Sequence, residues 1–404
     1  MEPEKDARLG MVLVPVFTDM FGFGMLLPLL PRLIAGMTGA DIATVALYGG
    51  WLAFVFSGMQ FLFAPLLGNL GDRYGRRPVL LVSLLPLGID ASMLAFAPSV
   101  AWLFVGKMLG GTVGGSYTAA AAYVADITPP EKRPRNFAFL NAAVGLGAVC
   151  GPVAGGLLAR YDLYIPCYMA VGLSIAGLAF ACFFLPESLG KNLRRHFEFK
   201  RANPLGAFRF LARNRMVRTL IAVMGLFYVA ADSIENAWSY YTIEKFGWTE
   251  QAIGYSLGFM GIMFALVQGV LCPLLLPRLG NGRSMLIGLS VQAVTFVLVA
   301  FACRGWMLFA LMIPYAMGTV FGPAVQSLTV NNTSGDGQGE LQGGMSAVRN
   351  LVSIAAPLVT TGLFFLFSRE NSLFYFPGAP FLFSGAVLVA ATYVARRGMG
   401  GESS

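Results

Sequence analysis

The stretch GNLGDRYGRR, Gly68 to Arg77, is a short charged loop wedged between two long apolar runs, residues 46–70 and 78–97. Gly68 allows a neighbouring helix to approach closely at a membrane face. Asp72 is placed to serve a helix N-terminus or a nearby arginine. Arg73, Arg76 and Arg77, with Gly75 among them, hold the loop on the basic side of a bilayer. The stretch therefore reads as the tight link between two membrane helices, and the rest of the chain can be tested against that reading.

Composition agrees with it. Of the 404 residues 56% are hydrophobic and only 12% are charged, about half the charge of an ordinary soluble chain. Lipid is the solvent this composition suits. The net charge of +8 is carried by short loops and not by a basic polar domain, which argues against a nucleic-acid partner. The five cysteines, Cys150, Cys167, Cys182, Cys272 and Cys303, lie in or beside apolar runs without CxxC spacing, so they read as small core side chains. The single histidine, His196, sits in a charged loop; neither a metal site nor a histidine-based nucleophile is expected. The opening MEPEKDARLG runs into an apolar segment without an A-x-A cleavage site, which predicts an uncleaved first membrane helix.

A membrane helix needs roughly 20 mostly apolar residues. Twelve such spans can be drawn: 9–33, 46–70, 78–97, 100–125, 136–159, 164–186, 217–242, 250–276, 284–303, 305–330, 341–367 and 375–395. With both termini cytoplasmic, 21 Lys and Arg residues fall on the cytoplasmic side and five outside, while Lys107 and Arg349 lie within spans. That asymmetry sets the expected orientation. The spans divide into two six-helix halves, 1–188 and 217–404, joined by a basic linker, 189–216, that includes the amphipathic piece FRFLARNR. The halves repeat each other. Arg73-x-Gly75 recurs as Arg278-x-Gly280, and Pro152 recurs as Pro357, both 205 residues on. Two halves with matching punctuation are a transporter pattern, with a small-molecule site near the bilayer midplane.

Three strings carry a resemblance. GNLGDRYGRR resembles the signature loop of the major facilitator superfamily. GAVCGPVAGG, with Gly147, Gly151, Pro152, Gly155 and Gly156 in span 5, resembles the motif of its drug:proton antiporters; physically, small residues at helical spacing admit a neighbour and Pro152 bends the span. KMLGG from Lys107 is similar to their Arg-x-x-x-Gly motif, with Lys for Arg. FTDMFGFGMLLPLLPRL, YVADITPPEKRPRNF, FGWTEQAIGYSL and GELQGGMSA extend the likeness over nearly the whole chain to bacterial tetracycline-efflux pumps. The resemblance implies an all-α fold of twelve helices, alternating access, a monomer in a bacterial inner membrane, and export of an amphipathic compound against protons, with no other cofactor. By position, Asp19, Asp72 and Asp90 match acids important in those pumps. Where the pumps have a histidine in span 8 and an aspartate in span 9, this chain has Phe264 and Gln292. It adds two acids in span 7 and Arg349 in span 11.

Those acids stand in FYVAADSIENAW, residues 227–238. In an α-helix Asp232 and Glu235 would lie about 60° apart on one face, continued by Trp238. A charge in mid-membrane costs about 2.5–3.5 kcal/mol and faces water or the bundle interior. Two neighbouring carboxylates repel, which favours retaining a proton on the pair, as a proton carrier requires. The competing expectation is structural: Arg349 forms a fixed ion pair with one of them. Asp19 precedes Gly22 and Gly24, where a thin backbone can open toward a cavity. Lys107 can snorkel or pair with Asp19 or Asp90. Tyr228, Trp238, Phe264, Gln268, Gln292 and Gln326 are candidate cavity-lining groups.

The leading reading is proton-coupled export of an amphipathic cationic or zwitterionic molecule, with Asp19, Asp232 and Glu235 as coupling or binding acids. The alternative is a carrier for an endogenous organic anion recognised by Lys107 and Arg349. An enzyme is not expected, since no nucleotide loop, metal-ligand cluster or nucleophile-base set is present.

Overall fold

Every regular element among the described residues is helical, as lipid requires of a chain that must satisfy its own backbone hydrogen bonds. The computed structural model describes residues 2–190, 192, 194, 215–332, 338–369, 372 and 374–400; most of the central linker, with His196 and residues 208–214, lies outside them. Eleven helices among the described residues are long and apolar enough to cross a membrane. The span missing from the expected twelve is span 4, which is split into Val100–Val113 and Ser116–Ile127. Each piece alone is too short. The split falls at Gly114 and Gly115, and Gly115 has φ +133°, a conformation open to glycine alone among ordinary residues.

The same punctuation recurs 205 residues later. Span 10, which counts as one span Gly305–Asn331 because turns carry it through residues 319–320, is likewise divided into Gly305–Gly318 and Phe321–Asn331, and both helix starts and the first helix end are 205 positions beyond those of span 4. Gly75 (φ 113°, ψ 162°) and Gly280 (φ 75°, ψ 155°) turn the 2–3 and 8–9 loops with related backbone shapes. Span 1 breaks between Glu2–Leu26 and Leu30–Thr38, where Pro28 and Pro31 remove amide donors. Its counterpart region in span 7 is not broken but widened into a π-helical turn, Ser233–Ala237.

The chain forms two compact units. The first comprises 1–39, 55–203 and 249–258; the second comprises 40–54, 204–248 and 259–404. In the first unit, spans 1 and 5 approach along a glycine stripe. Gly147, Gly151 and Gly155 face the backbone of Phe17–Met25, and Pro152 Cδ lies against Gly24. With lipid tails as apolar as any side chain, close backbone contact of this kind is what joins helices. The start of span 8 packs on the same helix: Gly254 lies against Pro152 O, and Gly156 against the Glu250 backbone. Arg32 holds Glu250 through two bonds, Nε–Oε1 at 2.8 Å and Nη1–Oε2 at 3.1 Å.

In the second unit the start of span 2 takes the corresponding place. Gly49 abuts Tyr240 and Gly50 abuts Thr361 and Pro357 O. The core there is aromatic: the Trp238, Tyr241, Phe296 and Phe381 rings meet edge-on, tilted or stacked with centroids 4.7–6.3 Å apart.

Candidate transport site

Asp19 lies about two turns before the end of Glu2–Leu26 and is buried, at 9% exposure. Its Oδ2 accepts a hydrogen bond from Ser116 Oγ at 2.6 Å. Ser116 opens the second piece of span 4, so the glycine break brings a helix start and a hydroxyl donor to the acid. Among the described residues no cation pairs with Asp19. Beside Ser116, Tyr117 Oη donates to Asn141 Oδ1 of span 5 at 2.9 Å.

Lys107 is committed elsewhere. Its Nζ is 2.6 Å from Asp90 Oδ2, with the two side chains only 13% and 15% exposed, and it lies over the Phe56 ring at 5.6 Å. This settles which of the two acids Lys107 meets, and occupies one of the two cations that the organic-anion reading needs.

The Gly68–Arg77 loop is clasped by its own Asp72 and by two acids distant in sequence. Asp72 Oδ1 pairs with Arg76 Nη2 at 2.7 Å, and Arg76 Nε reaches Asp126 Oδ2 at 3.1 Å. Glu187, at the end of span 6, accepts the backbone N–H groups of Arg76 (2.7 Å), Arg77, Ser188 (3.0 Å) and Leu189 (3.1 Å). It therefore caps the helix Arg76–Ser83, whose first turn carries no acidic cap of its own. A Cβ on Gly75 would enter the Glu187 carboxylate. Arg77 donates to Cys182 O, and Arg73 lies over the Tyr74 ring at 5.1 Å.

In the second unit the π turn changes the expected facing of the span 7 acids. A π turn inserts one residue into the helical count and re-aims what it carries. Asp232, immediately before it, is buried at 5% exposure, whereas Glu235, within it, is exposed. They do not share one environment. Asp232 Oδ2 accepts from Thr360 Oγ1 of span 11 at 2.8 Å, and its Oδ1 from Asn236 Nδ2 at 2.9 Å. Trp238 is buried in the aromatic core at 2% exposure and borders a small, wholly apolar cavity with Ile234, Met260, Phe296 and Tyr315. Arg349 is exposed and pairs with no carboxylate among the described residues; its guanidinium carbon lies 5.4 Å from the centre of the Tyr228 ring. The fixed salt bridge considered for Arg349 is not seen among the described residues.

The glutamines mostly serve the backbone. Gln292 is buried at 1% exposure, and its Nε2 donates to Tyr315 O at 3.1 Å. That carbonyl has lost its helical partner, because Thr319 N turns to Ala316 O at the span 10 break. Gln292 thus caps the break instead of lining a cavity, and its Oε1 has no partner. Gln268, inside a second π turn Val267–Leu271, reaches Thr319 O at the same break at 3.5 Å. Phe264 packs on Tyr315 at 5.7 Å, and Gln326 is exposed. Ser116, Thr360, Asn236, Asp126 and Glu187 are partners that sequence reasoning missed. A hydroxyl on an apolar span and an acid in a loop carry no signal of their partner until the helices are packed.

A sequence profile described as "Major Facilitator Superfamily" matches residues 12–357. The chain belongs to that superfamily. It is 37% identical to the class C tetracycline resistance protein of Escherichia coli, over 88% of this chain and 89% of that protein. It is 35% identical to the class G tetracycline resistance protein of Vibrio anguillarum, over 87% and 89%. Among solved structures, the nucleoside transporter NupG matches with a TM-score of 0.77 at 16% identity, covering 97% of this chain and 99% of that one. The human organic anion transporter MFSD10 matches with a TM-score of 0.71 at 24% identity and the same coverage. These last two share the fold. As a member of the superfamily, the protein is a multi-pass membrane transporter and not an enzyme.

Proposed function

We propose that this major facilitator transporter exports an amphipathic cationic or zwitterionic small molecule, of the tetracycline type or broader, in exchange for protons by alternating access. One observation carries the coupling part of the reading. Among the described residues each unit buries one carboxylate that has no cation, Asp19 or Asp232, and the hydrogen-bond partners of each are neutral side chains. A buried carboxylate without a cation is neutralised by taking up a proton, and a cationic substrate can do the same work in its place. Exchange of one for the other is antiport. The relatives named as tetracycline resistance proteins support the substrate class.

In this reading the bodies that alternate are the six-span halves, 1–188 and 217–404, working as a monomer without nucleic acid or any cofactor beyond the proton. The bilayer is the bacterial inner membrane, with both termini cytoplasmic. The organic-anion carrier is less favoured, because one of its two cations, Lys107, is held by Asp90. The test uses everted membrane vesicles energised to be acid inside. Tetracycline uptake that collapses with a protonophore, and is lost in Asp232→Asn, is the expected result. Uptake indifferent to the protonophore would refute proton coupling.

A further inference from the structure

Arg349 lies eight residues into the membrane span Leu341–Ser368, about 12 Å along its axis. At that depth an exposed guanidinium faces water or a ligand, because lipid would make it costly. The Tyr228 ring of span 7 lies 5.4 Å from its guanidinium carbon, an attraction that leaves its N–H donors open. No carboxylate of the described residues takes those donors. Glu235, on the π turn one helix away, is likewise exposed and without an ion pair. Spans 7 and 11 are tied together by the Thr360–Asp232 hydrogen bond, about three helical turns along span 11 from Arg349. The second unit therefore presents a basic and an acidic side chain, neither in an ion pair among the described residues.

We infer that Arg349, seated on Tyr228, is the specificity-determining residue that receives an acidic oxygen of the transported molecule, while Glu235 receives its cationic group. The inference rests on the exporter reading and narrows it: among amphipathic amines, those that also bear an acidic group are preferred. A guanidinium offers two parallel donors to a carboxylate or enolate, which a lysine cannot match. The Tyr228 ring supplies the flat apolar flank that an amphipathic scaffold needs.

The experiment compares a matched pair, an amphipathic amine and the same scaffold with a carboxylate added. Equilibrium binding to the purified full chain is measured by titration calorimetry, and proton flux separately in liposomes. Arg349→Gln should weaken binding of the acid-bearing compound roughly 10- to 100-fold and leave the plain amine unchanged. Arg349→Lys should recover part of that loss, and Tyr228→Leu, which keeps the charge, should show an intermediate one. Equal weakening of both compounds by Arg349→Gln, or of neither, overturns the inference. So does competition by acetate or phosphate as strong as that of the acid-bearing compound, which would mark a general anion or lipid-headgroup site. Failure of the exporter reading looks different: the Arg349-dependent preference in binding would stand while no proton moved.

Discussion

Asp232 and Lys107 show how partner choice decides what a buried charge can do. Lys107 and Asp90 neutralise each other at 2.6 Å. Removing one partner of a largely buried pair leaves a bare charge and costs about 3–5 kcal/mol, whereas removing both costs far less. Lys107→Met should therefore lower the thermal midpoint in detergent, and the double variant Lys107→Met with Asp90→Asn should recover most of it. If Lys107 instead bound substrate, the double variant would regain stability without regaining transport. Asp232 has only hydroxyl and amide donors. Thr360→Val removes one of them, and an unsatisfied buried acceptor costs about 1–3 kcal/mol. The prediction is a modest loss of thermal stability with a shifted pH profile of transport. A pH profile identical to wild type would separate Thr360 from coupling.

Elements set where those side chains point, and here sequence and structure part company in an instructive way. The spacing of Asp232 and Glu235 reads as one acidic face only if span 7 is an uninterrupted α-helix. The π turn Ser233–Ala237 redistributes them, and nothing in SIENA announces it, because widening a helix by one residue is decided by packing against spans 11 and 12. Ser233 Oγ accordingly bonds Pro380 O at 3.2 Å and meets Ser384 Oγ at 2.6 Å. The glycine stripe was open to sequence reasoning, since small residues four apart have one obvious use. Its partner, the Phe17–Met25 backbone, was not. Gly155→Ala places a methyl group against Met25, whose Cα is 2.8 Å from the added Cβ position. Overpacking of that kind costs about 1–3 kcal/mol, so the variant should melt earlier than wild type. A melt unchanged from wild type would mean that spans 1 and 5 do not meet along this stripe.

At the scale of the whole molecule, the repeat of 205 residues was visible in two motif pairs and reappears in helix boundaries that no motif marks, such as Val100 and Gly305. Duplication explains why: the breaks of spans 4 and 10 share a position although one is built on Gly114–Gly115 and the other on Thr319–Val320. The acids clasping the Gly68–Arg77 loop, Asp126 and Glu187, lie 50 and 111 residues from Arg76, and only the packed first unit joins them. Topology makes its own prediction. In a background with the five cysteines replaced, Asp162→Cys should react with an impermeant maleimide in intact cells, and Glu131→Cys only after lysis. Both residues are exposed; the reverse pattern would invert the orientation drawn from the basic loops.

The most direct measurement of the central claim is proton movement driven by substrate. Purified protein in liposomes with a trapped pH dye would be given tetracycline or a lipophilic cation under an imposed proton gradient. Dye response should follow substrate addition in the wild type, disappear in Asp232→Asn and Asp19→Asn, and persist in Lys107→Met with Asp90→Asn. Substrate flux without any dye response, or a response that survives loss of both Asp19 and Asp232, would contradict the account.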